Sequence, residues 1–264
     1  ASDAGAIVPL LGNENSPETL VDIAAAINSK KKIQALKITE IPNQTDLDAV
    51  LEDSSEAVSL KRRLSSLSKS KGITVAFESV VTHELSNTIN ELSSQSSCEW
   101  LVMGWDGRSH SGILVSNPIG WLLANINSNL ALFKDNGVRH VGKVLLALRP
   151  GRKDRNFIEI AQRVCSFYGA SLTLLHVVPE KTTNKNIFAM EEKSSSKLEQ
   201  SKAEVVIVKS DDPVETISEI SAGYDLLILG APEKDNWINV LFGGGKDKFT
   251  EKSACSVLRL TVKD

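Results

Sequence analysis

The chain is poor in the residues that build reactive or cross-linked sites. Its 264 residues include three cysteines, four histidines and two methionines. Cys98, Cys165 and Cys255 are odd in number, far apart and set in apolar or helical surroundings. That excludes a disulfide framework or a cysteine-rich metal site and points to a reducing, cytosolic compartment. His83, His110, His140 and His176 form neither an H-E-x-x-H helix nor a triad-like arrangement, so no metal site and no enzyme activity are expected. Charge of neither sign dominates: 30 Lys+Arg against 33 Asp+Glu leave a net charge of -3, which argues against broad nucleic-acid binding and allows only a local basic patch. No apolar run approaches the roughly 20 residues that span a bilayer, so no direct membrane insertion is expected. The opening "ASDAGAIVPLL" has no charged leader, no signal-peptide core and no Met. A processed terminus and a piece cut from a longer chain both fit it. What remains, 41% hydrophobic and 24% charged, is the composition of a globular protein with a real core.

The main feature present is repetition. The apolar runs "WLVMG" and "LLILG" end at Gly104 and Gly230, 126 residues apart. Ahead of each lies a similar helical phrase, "TINEL" from Thr88 and "TISEI" from Thr216, 128 residues apart. "IQALKITEIP" pairs with "LTLLHVVPE", and "AIVPLLG" with "VLLALRPG", in the same order. The pattern is a tandem duplication, read as lobes 1–137 and 138–264 with a polar hinge at 134–143 that contains Asn136-Gly137.

Each copy alternates strands and helices. The strands are continuous apolar runs, as expected where helices cover both faces of a parallel sheet. Helix starts are marked by Ser16-Pro17, by Asp154, and by Asp212 with Glu215 as a capping box; Thr82 caps the helix that follows it, and Gly169 is placed as a left-handed helix end. Leu47, Val50, Leu51, Val58, Leu60, Leu64 and Leu67 predict a long amphipathic helix within 43–72. Its counterpart at 181–203 is polar and rich in Ser and Lys, and is expected to be a mobile loop with a short helix. His176 is expected to be a satisfied core histidine, and Cys255 a core residue.

The arrangement resembles tandem universal stress protein domains over nearly the whole chain. The resemblance implies an α/β fold: two tandem Rossmann-like (universal stress protein-like) lobes, each a five-stranded parallel sheet flanked by helices. Nucleotide-binding members of that family carry G-x-x-G, then nine residues, then G-[ST] after the fourth strand, and an acidic residue at the end of the first. The glycines let backbone N–H groups approach phosphates. In lobe 1, Gly104 and Gly107 match the first pair, but Asn117 and Pro118 stand where G-[ST] belongs, and Leu11 holds the acidic position. In lobe 2, Gly230 is followed by Glu233 where the second glycine belongs; Gly243 and Gly244 fit the later pair, and Arg149 holds the acidic position. Both loops are degenerate. No cofactor is expected, with a residual nucleotide or anion at Gly104, Gly107, Gly230, Gly243, Gly244 and Arg149 as the disfavoured alternative.

Other phrases narrow the resemblance. "VTHELSNTINEL", "WLVMGWDGR", "IGWLLANINSNLALFKD" and "SDDPVETISEISAGYDLLILGAPEK" resemble the cytoplasmic C-terminal portion of prokaryotic amino-acid and cation transporters, in particular cation–chloride cotransporters. That implies a non-catalytic regulatory and assembly domain on the cytoplasmic face of a membrane. Its partners would be the transporter's own membrane domain and a second copy in a homodimer. The alternative is a freestanding tandem stress protein that binds ATP or AMP. "RPGRKDR" at 149–155 reads as an anion site or as a solvated basic turn, and "FGGGKDK" at 242–248 as a phosphate loop or a flexible turn. Trp105, Trp121 and Trp237, in or beside loops, read as lobe-packing or partner-binding aromatics. "NLALF" and "SVLRLTV" are candidate edge strands able to pair with one another, giving a pseudo-dimer within one chain.

Overall fold

The computed structural model describes residues 4–30, 32–45, 54–95, 98–105, 126–149, 154–198, 203–230 and 247–263. Along the first half run β1 (Ala6–Leu10), α1 (Pro17–Ile27), β2 (Lys32–Glu40), α2 (Ser55–Lys71), β3 (Thr74–Thr82), α3 (Leu85–Gln95), β4 (Trp100–Gly104) and β5 (Asn129–Lys134). The second half repeats the order with β6 (Lys143–Ala147), α4 (Asp154–Tyr168), β7 (Ser171–Val178), α5 (Asn184–Lys197), β8 (Ala203–Lys209), α6 (Pro213–Ser221), β9 (Leu226–Gly230), α7 (Lys248–Lys252) and β10 (Ser256–Thr261).

All ten strands form one sheet in the order β3-β2-β1-β4-β5-β10-β9-β6-β7-β8. Within each half every pairing is parallel, and the halves join through antiparallel β5 and β10. The two candidate edge strands therefore cover each other. Matching "NLALFK" to "SVLRLT" makes Leu132 and Arg259 equivalent, and these two residues face each other in the ladder. A pseudo-twofold axis normal to the sheet passes between them.

Strand order decides which face each helix covers. From β1 the chain steps outward to β2 and β3, then returns to β4; with right-handed crossovers the early helices share one face and the later ones take the other. The clusters of buried side chains agree. Leu20, Ile23 and Ile27 of α1, Leu60 and Leu64 of α2, and Ile158, Ala161 and Val164 of α4 belong to a single core that runs across both halves. On the opposite face Leu85 and Ile89 of α3 pack in a first-half cluster, and Ile217 of α6 in a separate second-half cluster. The halves are thus fused along one face. Two polar contacts lock that seam: Arg163 on α4 donates to the Ile27 carbonyl, and Tyr168 hydrogen-bonds to Asp22 on α1.

The caps form largely as expected. Ser16 Oγ accepts from the Thr19 amide at 3.3 Å with Pro17 in the first turn, and Gly169 ends α4 with φ +69°. Asp212 accepts from the Glu215 amide at 3.1 Å, but the capping box does not close: the Asp212 N–H goes to Ser210 Oγ and the Glu215 carboxylate to Lys252. Thr82 is the last residue of β3, and its hydroxyl accepts from the Glu84 amide at 3.0 Å, one step ahead of α3.

Three expectations are corrected. The polar stretch 181–203 holds a 14-residue helix, α5, rather than a loop with a short helix. It lacks an apolar stripe because polar contacts hold it: the Thr183 cap, Ser194 on His176, and Lys197 on Asp154 at 3.3 Å. Trp105 is not an interface aromatic. It is 9% exposed and packs with Ile126, Leu130 and Leu85 in the first half's own cluster, its amide donating to the Phe133 carbonyl. Trp121 and Trp237 lie outside the described residues, as does the 46–53 part of the long helix expected in lobe 1. Val58 was counted on that helix's apolar side and is instead 38% exposed.

Candidate functional site

In an open parallel sheet a ligand crevice forms where strand order reverses, at the carboxyl ends of the strands. Here that point falls between β1 and β4 in the first half and between β6 and β9 in the second. Because the halves are antiparallel across β5 and β10, the two crevices open on opposite edges of the sheet, so Gly104 and Gly230 belong to separate sites.

In the first half the crevice holds Glu14. The amides of Leu11 and Gly12, just past β1, donate to its two carboxylate oxygens at 2.6 and 2.9 Å. Gly12 has φ +91°, a left-handed conformation favourable to glycine that aims successive N–H groups at one acceptor. Glu14 also lies against Gly104, where an added Cβ would stand 3.6 Å from its Cγ. The chain thus builds a small anion nest at the end of β1 and fills it with its own carboxylate. A phosphate brought here would meet a negative charge whose amide donors are already engaged. The acidic residue missing at Leu11 is supplied three positions later in the loop, turned back onto its own backbone.

In the second half different groups stand beside the glycine. The ring of Phe157 on α4 leans on Gly230, where an added Cβ would lie 3.1 Å from Cζ and 3.3 Å from Cε2. The glycine makes room for an aromatic ring. Beside it, the Arg259 guanidinium donates to the Gly230 carbonyl and, from Nε and Nη2, to the two oxygens of Asp247 at 2.7 and 2.8 Å. Thr250 Oγ1 adds a third donor to Asp247 at 2.5 Å, and Arg259 stands over the Phe249 ring at 5.7 Å. Both charged groups are buried. Burial alone raises the Asp247 pKa, but the hydrogen bonds and charge of Arg259, with the Thr250 hydroxyl and amide, outweigh it and hold the carboxyl below the ordinary range. The buried cation beside Gly230 is therefore already neutralised.

Of the residues singled out in sequence, Arg149 follows β6 at the same sheet edge as Gly230 and is exposed. Gly107, Gly243 and Gly244 lie outside the described residues, as do Asn117, Pro118, Glu233, Trp121, Trp237, His110, Arg152 and Lys153. His176 is 2% exposed, with Nδ1 on the Leu148 carbonyl and Nε2 on Ser194 Oγ, both at 2.9 Å. The carbonyl can only accept, so Nδ1 donates to it. All three cysteines are buried and free, and burial pushes the Cys165 thiol up to about 12, well away from thiolate reactivity. Among the described residues no group of three His, Cys, Asp or Glu side chains could hold a metal, and no helix is long and apolar enough to cross a membrane. Glu14, Phe157 and Arg259 were not found from sequence, because their roles depend on a loop turning back and on a strand and a helix from distant positions.

No protein-family model matches the chain, and no curated protein matches it in sequence. Solved structures do. A universal stress protein from Archaeoglobus fulgidus DSM 4304 covers 100% of this chain and 98% of its own, at 18% identity and a TM-score of 0.71. The cytoplasmic domain of a prokaryotic cation chloride cotransporter covers 98% and 95%, at 13% identity and a TM-score of 0.63. A protein of unknown function from Pseudomonas aeruginosa PAO1 covers 97% and 92%, at 13% identity and a TM-score of 0.60. The protein therefore has the tandem universal stress protein fold. At these identities the likeness is one of fold.

Proposed function

We propose that the chain is a non-catalytic cytoplasmic regulatory and assembly domain of a membrane ion or amino-acid transporter. It would contact the transporter's membrane domain and pair with a second copy in a homodimer. The observation that supports this reading is that, among the described residues, the chain's own side chains stand against the glycine of each crevice, Glu14 on Gly104 and Phe157 on Gly230. A nucleotide-dependent protein needs at least one crevice open to phosphate. A scaffold needs only the outer surface, and full-length likeness in fold to a cotransporter's cytoplasmic domain gives such a scaffold a precedent. The transported solute would be a cation with chloride, or an amino acid.

An antibody raised against the chain and used on fractionated cells of its source tests this reading. The expected result is a membrane-fraction polypeptide longer than these 264 residues. A soluble band of this length would overturn it. Calorimetric titration with ATP, ADP and AMP, with and without magnesium, is expected to show no saturable heat. Tight one-to-one binding would favour the second reading, a freestanding tandem stress protein that binds nucleotide. That reading is supported by the higher TM-score of the Archaeoglobus fulgidus stress protein, 0.71 against 0.63.

A further inference from the structure

We propose that the outward face of α2 docks on an anionic membrane surface, holding phospholipid headgroups with Lys61, Arg62 and Lys69; this rests on the transporter reading above. In a chain of net charge -3, α2 carries five cations, Lys61, Arg62, Arg63, Lys69 and Lys71, against a single carboxylate, Glu56. Two of the five have work inside the fold. Arg63 pairs with Glu18 at 2.6 Å, and Lys71 lies 5.9 Å from the rings of Phe167 and Tyr168. Lys61, Arg62 and Lys69 are exposed and have no ion-pair partner among the described residues.

Helical spacing groups these three. Arg62 and Lys69, seven apart, point away from buried Leu60 and Leu64, and Lys61 and Lys69 bracket exposed Ser65 at four residues on either side. On the exposed side between them lie Ser65 and Ser66, short enough for the long cationic side chains to reach a flat surface, with hydroxyls that can donate to phosphate oxygens. Toward α1 the same stripe borders a shallow groove of about 500 Å³ lined by Glu18, Arg62, Arg63, Ser66, Leu67 and Ser70.

An exposed apolar side chain stands on the same helix. Among the described residues the exposed large hydrophobics are Val58 at 38% on α2 and Phe188 at 69% on α5. The pseudo-twofold axis makes α2 and α5 equivalent, and both belong to the helical layer over the shared core. Val58 stands one turn before Arg62 on α2 itself, so this helix offers an exposed apolar side chain among its cations, the combination that holds a protein at a charged lipid interface. Nucleic acid is the poorer fit, because α2 has no aromatic residue on which a base could stack.

Vesicle co-sedimentation tests the proposal. The chain should sediment with phosphatidylcholine–phosphatidylglycerol vesicles, stay in solution with phosphatidylcholine alone, and be released by salt. Replacing Lys61→Gln, Arg62→Gln and Lys69→Gln together should weaken partitioning roughly a hundredfold, from about fivefold per cation, with an unchanged thermal melt because all three are exposed. Lys248→Gln, on the opposite face of the sheet, should change nothing, whereas Arg62→Gln alone should cost about fivefold. No retention on anionic vesicles, equal retention on neutral ones, or an equal loss from Lys248→Gln would overturn the proposal. So would capture by a polyribonucleotide with no vesicle binding. A membrane-anchored polypeptide on the immunoblot together with indifference to vesicles would sink this docking face alone and leave the transporter reading standing.

Discussion

The two halves share one topology, yet the described parts of their ligand crevices are lined with unrelated chemistry. The first folds a carboxylate, Glu14, back onto two amides at the end of β1. The second uses the ring of Phe157 and a buried ion pair, Arg259 with Asp247, beside the last residue of β9. At the pseudo-twofold axis the same divergence appears in one pair of facing residues: Leu132 stays apolar and its equivalent is Arg259. An anion nest that satisfies itself and a hydrophobic lid over a neutralised cation have one consequence in common. Each engages donors beside the crevice glycine, the Leu11 and Gly12 amides in one half and the Arg259 guanidinium in the other, while leaving the sheet intact.

The difference should show most clearly at Arg259. Its side chain is 7% exposed and that of Asp247 3%, so Arg259→Met would leave a buried carboxylate without its cation and the Gly230 carbonyl without its donor. A loss of about 3–5 kcal/mol is expected in chemical denaturation. Replacing both partners, Arg259→Met with Asp247→Leu, should recover most of it, since neither charge is then stranded. A small effect of the single change would mean that water reaches Asp247 and that the second crevice is open after all. In the first half the equivalent residue, Leu132, carries no charge, so its loss would not copy this effect.

A finer comparison uses the equivalent glycines. Gly230→Ala sets a methyl 3.1 Å from the Phe157 ring, tighter than ordinary contact, so the ring must move. We expect a loss of about 1–2 kcal/mol. Gly104→Ala meets only Glu14 Cγ at 3.6 Å and gains the backbone stiffness of alanine, so it should be neutral or stabilising by up to about 0.5–1 kcal/mol. Matched thermal melts of the two variants decide the point. Equal effects would show that Phe157 does not occupy the second crevice.

Much of the architecture was legible in the sequence because it is written in repeated short patterns. Buried runs such as "AIVPL" and "LLILG" form only where helices cover both faces of a sheet, and caps such as Ser16-Pro17 act over a few residues. The α5 helix was illegible because hydrogen bonds and an ion pair hold it rather than an apolar stripe. Trp105 was misread because a tryptophan after a strand looks alike in sequence whether it turns inward or outward. At the candidate site, Leu11 stands where the resemblance implies an acidic residue; a carboxylate, Glu14, lies three residues on in a loop, and no local pattern foretells that it turns back. Arg259 read as one polar interruption in an apolar strand. Its partner, Asp247, is 12 residues away and reaches it only through the packing of α7.

The smallest effect expected is also the one that compares two carboxylates directly. Asp22, on α1 at the seam, has its pKa raised from 3.8 chiefly by burial, against the hydrogen bond from Tyr168 and the charge of Lys71, and its Oδ1 has no hydrogen-bond partner. The folded state therefore holds the Asp22 proton to higher pH than the unfolded chain does. Stability falls as pH rises from 3.8 through the folded-state value, and the cost persists at neutral pH. Asp247 has the opposite sign: its stabilisation is present above 3.8 and is lost as pH falls through its depressed value. Asp22→Asn keeps an acceptor for Tyr168 and removes the ionisation. The variant should match the wild type in acid, then become more stable than it by no more than about 1 kcal/mol as pH rises to neutral. Urea midpoints taken across that range test the sign. A variant less stable than the wild type at neutral pH would mean that Lys71 and Tyr168 stabilise the ionised carboxylate, and that the seam between the halves is held by charge rather than by packing.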